Sequence, residues 1–167
     1  MRFKNLHVED LDNNPNTVLV FKSLRSNGKY RFFYLLLMHD YLVLASKGCF
    51  PAVNGQPEKW LGGTDIEIPK SGLSWFINAI EQKFMKTEAE GGLKREVFTY
   101  STVIDGEKLV VKRQFGVPGY GLMNFNRKEY VFNESPQLAE FTDQMLFENG
   151  LLDELKLVAK KIDNGEL

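Results

Sequence analysis

Two stretches decide how this chain is read: TVLVFKSLRSNGKYRFFYLLLM (residues 17–38) and EVFTYSTVIDGEKLVVKRQF (residues 96–115). Each holds two strand-like runs, rich in β-branched and aromatic residues, on either side of a tight turn. The turns are Ser26-Asn27-Gly28-Lys29 and Ile104-Asp105-Gly106-Glu107. Asn-Gly and Asp-Gly at the centre of such turns favour a type I′ hairpin, because both central residues need positive φ. Further extended segments and a helix-like stretch follow each hairpin, so one pattern is written twice.

Working outward, residues 1–16 are polar and read as a leader arm ending in Asn13-Asn14-Pro15-Asn16. Tyr41–Lys47 is a third strand, Gly48–Gly63 a long loop carrying Trp60, and Thr64–Ile68 a short fourth strand. Leu73, Phe76, Ile77, Ile80 and Phe84 then recur with the 3.6-residue period of a helix lying on a sheet. Glu88-Ala89-Glu90-Gly91-Gly92 is a linker. In the second pass, Leu122–Phe125 and Glu129–Phe132 are shorter strands. Ser135 is placed as an N-cap with Pro136 at the first helical position, and Leu138, Phe141 and Met145 line the helix that follows. A last amphipathic helix carries Leu151, Leu152, Leu155, Val158, Ala159 and Ile162. The expected architecture is α+β: one domain of tandem ββββα units (about 17–86 and 95–150), curved antiparallel sheets packed on helices, plus a C-terminal helix (about 151–163).

A two-residue turn sets which residues lie opposite each other and so share a face. In the second hairpin this puts Phe98, Tyr100, Thr102, Ile104, Leu109, Val111, Arg113 and Phe115 on the core side. Lys108 and Lys112 lie on the solvent side among Thr99, Ser101 and Val103. In the first hairpin it pairs Leu24 with Arg31, placing Phe21, Arg25, Tyr30, Phe32 and Tyr34 on one face beside Lys29. Rings and cations on an open sheet form a stacking platform for unpaired bases. The same rings also suit a core or a dimer interface, and neither face of this hairpin is convincingly polar.

Charge supports the first use. The net charge is only −1, but from Glu134 onward eight acids face three lysines, so this part carries −5 and the rest +4. Residues 17–49 and residues 94–128 each carry +4. Basic strands and acidic C-terminal helices point towards a polyanionic partner. A composition of 43% hydrophobic and 26% charged residues argues against overall disorder. Cys49 is the single cysteine, which excludes a disulfide framework. Met1-Arg2-Phe3-Lys4 lacks the apolar stretch of a secretory signal, and the apolar run Phe32–Met38 is too short to span a bilayer. A soluble cytoplasmic protein is expected.

Thr64-Asp65-Ile66-Glu67-Ile68-Pro69-Lys70-Ser71-Gly72-Leu73, followed by Phe76 and Ile80, resembles the end of a PUR repeat, where a short strand runs through a proline and Gly-Leu into an amphipathic helix. The doubled order is also similar to the Whirly proteins and the single-stranded-DNA-binding coactivators grouped with them. The resemblance implies curved sheets that bind single-stranded DNA or RNA through aromatic and basic side chains, as homodimers or higher homo-oligomers. By position it implies binding at Lys29, Tyr30 and Phe32, with Lys108 and Lys112 as second-unit counterparts.

No catalytic constellation is present. His7 and His39 lie in unrelated segments without metal-ligand spacing, and Cys49 has no evident histidine partner. Asp65 and Glu67 share a strand face best read as solvated. Gly116-Val117-Pro118-Gly119-Tyr120-Gly121 lacks the Gly-Lys-Ser/Thr of a phosphate cradle. Trp60 and Trp75 are core residues or, for one of them, an exposed stacking residue. The expected function is non-catalytic single-stranded nucleic-acid binding, in transcription, replication or mRNA regulation. The expected binding residues are Arg25, Lys29, Tyr30, Phe32, Tyr34, Lys108 and Lys112, with no cofactor, metal or membrane. The alternative is a protein-interaction module using the aromatic sheet or the acidic C-terminal helix.

Overall fold

A computed structural model describes residues 6–128 and 134–167. Strands β1 (Thr17–Leu24), β2 (Tyr30–Met38), β3 (Tyr41–Phe50) and β4 (Lys59–Pro69) form an antiparallel sheet in chain order. Helix α1 (Gly72–Asn78) follows and continues as a π-helical segment, Ala79–Phe84. Strands β5 (Thr99–Ile104), β6 (Glu107–Gln114), β7 (Gly119–Lys128) and β8 (Pro136–Thr142) form a second four-stranded antiparallel sheet, again in chain order. A π-helical turn, Gln144–Glu148, leads into the C-terminal helix α2 (Leu151–Asp163). The chain is thus α+β, as expected.

Both sheets share one core. Phe33, Leu35, Leu42, Leu44, Ile66 and Ile68 of the first share it with Leu109, Val111, Tyr120, Leu122 and Phe141 of the second and with the buried stripes of α1 and α2. The predicted helical stripe is observed: Leu73, Phe76, Ile77 and Ile80 are buried. Trp75 is partly buried and stacks on Tyr100 at 5.9 Å, so it belongs to packing. Ser74 Oγ donates to Asp163 at 2.7 Å and Ser71 Oγ to Asp105 at 2.7 Å, tying α1 to α2 and to the second hairpin turn. Among the described residues, no helix is long and apolar enough to cross a membrane.

Three readings are corrected. First, residues 136–142 are a strand. Burial alternates, with Gln137, Ala139 and Phe141 inward and Leu138 and Glu140 outward, and β8 pairs along β7. Pro136 sits at the start of this edge strand, where its missing N–H costs no ladder bond, and the helix expected from Ser135 does not form. Second, the loop after Gly48 is shorter than expected, because β3 and β4 stay paired out to Phe50 and Lys59. Gly62 is accommodated there by close approach: a Cβ on it would lie 1.9 Å from the Ser46 carbonyl oxygen. The strand expected at Glu129–Phe132 falls outside the described residues.

The third correction concerns register. In the second hairpin Asp105 and Gly106 both have positive φ, +48° and +83°, and Ile104 faces Glu107 as predicted. In the first hairpin Gly28 is left-handed at +76° but Asn27 is not. Gly28 N–H bonds to the Arg25 carbonyl at 3.0 Å and Arg25 N–H to the Lys29 carbonyl at 2.8 Å, which makes a three-residue loop. Leu24 therefore faces Tyr30 rather than Arg31, and Lys22 faces Phe32. One added loop residue turns β1 over relative to β2.

Candidate nucleic-acid interface

The corrected register decides which side chains share the outer face of the first sheet, although at the β1 edge Val20, Lys22, Leu24 and Tyr30 also border a cleft with Gln144, Asn149, Leu151 and Glu154. Val20, Lys22 and Leu24 of β1 join Tyr30, Phe32 and Tyr34 of β2. Lys47 of β3 lies opposite Phe32, and Trp60 of β4 lies opposite Cys49. Phe21 is on the inner face, stacked on Phe33 at 4.9 Å with 4° between the planes, so its expected place beside Tyr30 is withdrawn. Arg25 also belongs inward. Its guanidinium lies 5.5 Å from the Phe50 ring and lines a cleft of about 370 Å³ with Ser23, Arg31, Phe33 and Asp65 on one side and Glu140 and Thr142 on the other.

Tyr30, Phe32 and Trp60 are neighbouring rings on this face outside the part that Leu11 covers. Tyr30 and Phe32 are 6.4 Å apart and inclined at 49°; Phe32 and Trp60 are 6.1 Å apart and inclined at 44°. Tyr30 is 41% and Trp60 43% exposed. Two lysines sit among them: Lys22 Nζ lies 4.3 Å from the Tyr30 centroid and Lys47 Nζ 5.3 Å from that of Trp60. Cations over ring faces are attracted by the aromatic quadrupole and are held near the rings. The inclined rings do not cover one another's faces, which leaves aromatic surface open for planar groups.

Other expected residues are engaged. Lys29 pairs with Glu58 and approaches Cys49 Sγ at 3.6 Å; the Glu58 carboxylate holds its ammonium above the ordinary value. Tyr34 is only 6% exposed. It lies with Leu36, Val43 and Ala45 beneath Leu11 of the N-terminal segment, and its hydroxyl donates to Asp12 Oδ1 at 2.7 Å. Burial and then the Asp12 carboxylate push the phenol above its usual range. The bonds from Lys47 and Tyr34 hold Asp12 below the ordinary carboxylate value. Lys108 and Lys112 are exposed on the outer face of the second sheet, with Lys108 Nζ 5.5 Å from the Phe125 centroid. They belong to the second sheet, whereas Tyr30, Phe32 and Trp60 belong to the first.

Sequence reasoning missed Lys22 and Lys47. Lys22 was hidden by the one-residue register error. Lys47 becomes legible only once β3 is paired with β2. Among the described residues, no group of three or more His, Cys, Asp or Glu side chains is placed to hold a metal ion. No protein-family model matches this chain, and a search of curated proteins finds no match.

Proposed function

We propose that this chain binds single-stranded nucleic acid, without chemistry on it, through the Lys22–Tyr30–Phe32–Lys47–Trp60 face. The observation that carries the reading is the ladder of three rings at 6.1 and 6.4 Å with lysines over two of them. Bases of an unpaired strand stack on open ring faces, each stack contributing about 1–3 kcal/mol, while lysines neutralise phosphates. Lys108 and Lys112 extend the electrostatic footprint to the second sheet. The finer architecture belongs to the same proposal: two PUR- or Whirly-like units of four strands and a helix, assembled as a homodimer or higher homo-oligomer.

Fluorescence anisotropy with labelled oligo(dT) and oligo(U) tests it. Micromolar or tighter binding is expected at about 50 mM salt, falling steeply by about 200 mM. No binding at the lower salt would remove the reading. A specific observation favours a second reading, protein docking: Val20 and Leu24 are exposed on the same face along edge strand β1. An apolar flank of this kind suits a protein surface better than a phosphate backbone. A partner retained after nuclease treatment, with no oligonucleotide binding, would decide for it.

A further inference from the structure

The outer face of the first sheet is open only in part, because the rest lies under the chain's own N-terminal segment. Leu11 is 1% exposed and packs with Tyr34, Leu36, Val43 and Ala45, and Leu6 N–H reaches Thr64 Oγ1 at 3.4 Å. Asp12, the next residue, behaves differently. One of its carboxylate oxygens accepts from the Tyr34 hydroxyl at 2.7 Å and the other from Lys47 Nζ at 2.5 Å, while 60% of its side chain stays in solvent. The same Lys47 ammonium stands 5.3 Å from the Trp60 ring.

We propose that Asp12 is a resident stand-in for a phosphodiester, occupying a phosphate subsite formed by Lys47 and Tyr34, and that a bound strand displaces it. This rests on the nucleic-acid reading of the ring ladder. The two non-bridging oxygens of a phosphodiester present the same paired, negatively charged acceptors as a carboxylate, and an ammonium and a phenol are suitable donors for either. The subsite adjoins Trp60, so a base on that ring places its own phosphate within reach. Leu11 is the anchor and Asp12 the exchangeable group. The segment stays on the sheet while a solvent-exposed carboxylate swings away, a movement opposed by its ion pair with Lys47 and its hydrogen bond from Tyr34, both of which the incoming phosphate replaces. A single inorganic phosphate gains this subsite alone and competes poorly. A strand held on the rings brings its phosphate at high local concentration, so the device selects chains over small anions.

The test is Asp12→Asn, compared with Asp10→Asn. Asp10 belongs to the same segment, but its carboxylate binds the His7 N–H at 2.9 Å. In anisotropy with oligo(dT), Asp12→Asn is expected to tighten binding about three- to five-fold, the scale of releasing one partly exposed ion pair. Asp10→Asn, which removes an equal charge, should change it far less. Lys47→Ala should weaken binding more in the Asp12→Asn background than in the wild type. Equal effects of the two aspartate variants, or an equal effect of Lys47→Ala in both backgrounds, would overturn the proposal. Carboxyl carbon NMR of Asp12 in the wild-type protein gives a readout that depends on no variant folding. The signal should move to that of a free carboxylate as oligo(dT) is added, and an unchanged signal in the bound state overturns the proposal. If neither wild type nor Asp12→Asn binds at low salt, the nucleic-acid reading falls and this falls with it. If the wild type binds and Asp12→Asn gains nothing, this inference alone falls.

Discussion

Arg127 grips Glu107 through both carboxylate oxygens, at 2.7 and 3.0 Å, and its remaining nitrogen reaches Glu67 at 2.6 Å. Glu107 belongs to β6 of the second sheet and Glu67 to β4 of the first, so one guanidinium fastens the two sheets. The contact is buried, with Arg127 5%, Glu107 9% and Glu67 0% exposed. Asn124 Nδ2 bridges Glu107 Oε2 at 2.6 Å and the Glu67 carbonyl at 2.7 Å, and Tyr41 donates to Glu107 at 2.8 Å. The buried Glu107 carboxylate is tolerable because Arg127, Asn124 and Tyr41 all donate to it, whereas Glu67 receives Arg127 on one oxygen and its other oxygen is buried without a hydrogen bond among the described residues.

This cluster makes the fold acid-sensitive. Burial alone would raise the Glu107 pKa, but the bonds from Arg127, Asn124 and Tyr41 outweigh it and bring it down from 4.5 to about 2. A depressed carboxylate contributes stability above its unfolded value and loses it as pH falls towards the folded one. Stability against urea should therefore hold above about pH 5 and decline by on the order of 3 kcal/mol between pH 4.5 and 2. A Glu107→Gln variant should show a flatter profile in the same titration.

Removing the cation is expected to be worse than removing one anion. Arg127→Leu leaves Glu67 and Glu107 buried without their partner, a loss of about 3–5 kcal/mol. Urea denaturation at neutral pH measures it. Acidification should then narrow the gap to wild type, because protonating the orphaned carboxylates relieves them.

Phe21 and Trp60 separate core from surface. Phe21→Ala removes a partly buried ring packed against the core and should cost about 2–3 kcal/mol of stability, with oligonucleotide affinity preserved in the folded fraction. Trp60→Ala should leave the denaturation midpoint in place and weaken oligo(dT) binding by about 1–3 kcal/mol. Running denaturation and anisotropy on both variants checks the assignment, and the opposite pattern would return Phe21 to the binding face.

The lysines should reveal themselves in salt dependence. Each phosphate neutralised on a single strand contributes about 0.7 to the slope of log affinity against log salt. Lys22→Ala with Lys47→Ala should lower that slope by about 1.4, and Lys108→Ala with Lys112→Ala by a similar amount if the strand also crosses the second sheet. Anisotropy titrations across a salt series give both values.

The second hairpin was legible because Asp105 and Gly106 both take the positive φ that a two-residue turn demands, and every pairing follows from that. The first hairpin carries an equally strong Asn27-Gly28 signal. Its backbone nevertheless closes one residue earlier, at Arg25, and that single step moved Phe21 inward and Lys22 outward. Residues 136–142 satisfied two periods at once. Leu138, Phe141 and Met145 fit a helix, while Gln137, Ala139 and Phe141 fit a strand. The open edge of β7 settled the choice by offering a ladder of backbone partners.

By itself the sequence determined the strand-rich α+β composition, the amphipathic stripes of α1 and α2, the Asp105-Gly106 turn and the basic character of the strands. These are local properties, set by side-chain periodicity and backbone preference within a few residues. Only the tertiary structure decided which aromatic face is open, that Leu11 and Asp12 cover Tyr34, and that Arg127 joins Glu67 to Glu107. The last two bring together groups 20 or more residues apart. Such contacts depend on register and on how the sheets meet, and a one-residue shift in a turn reverses a face without altering any local pattern.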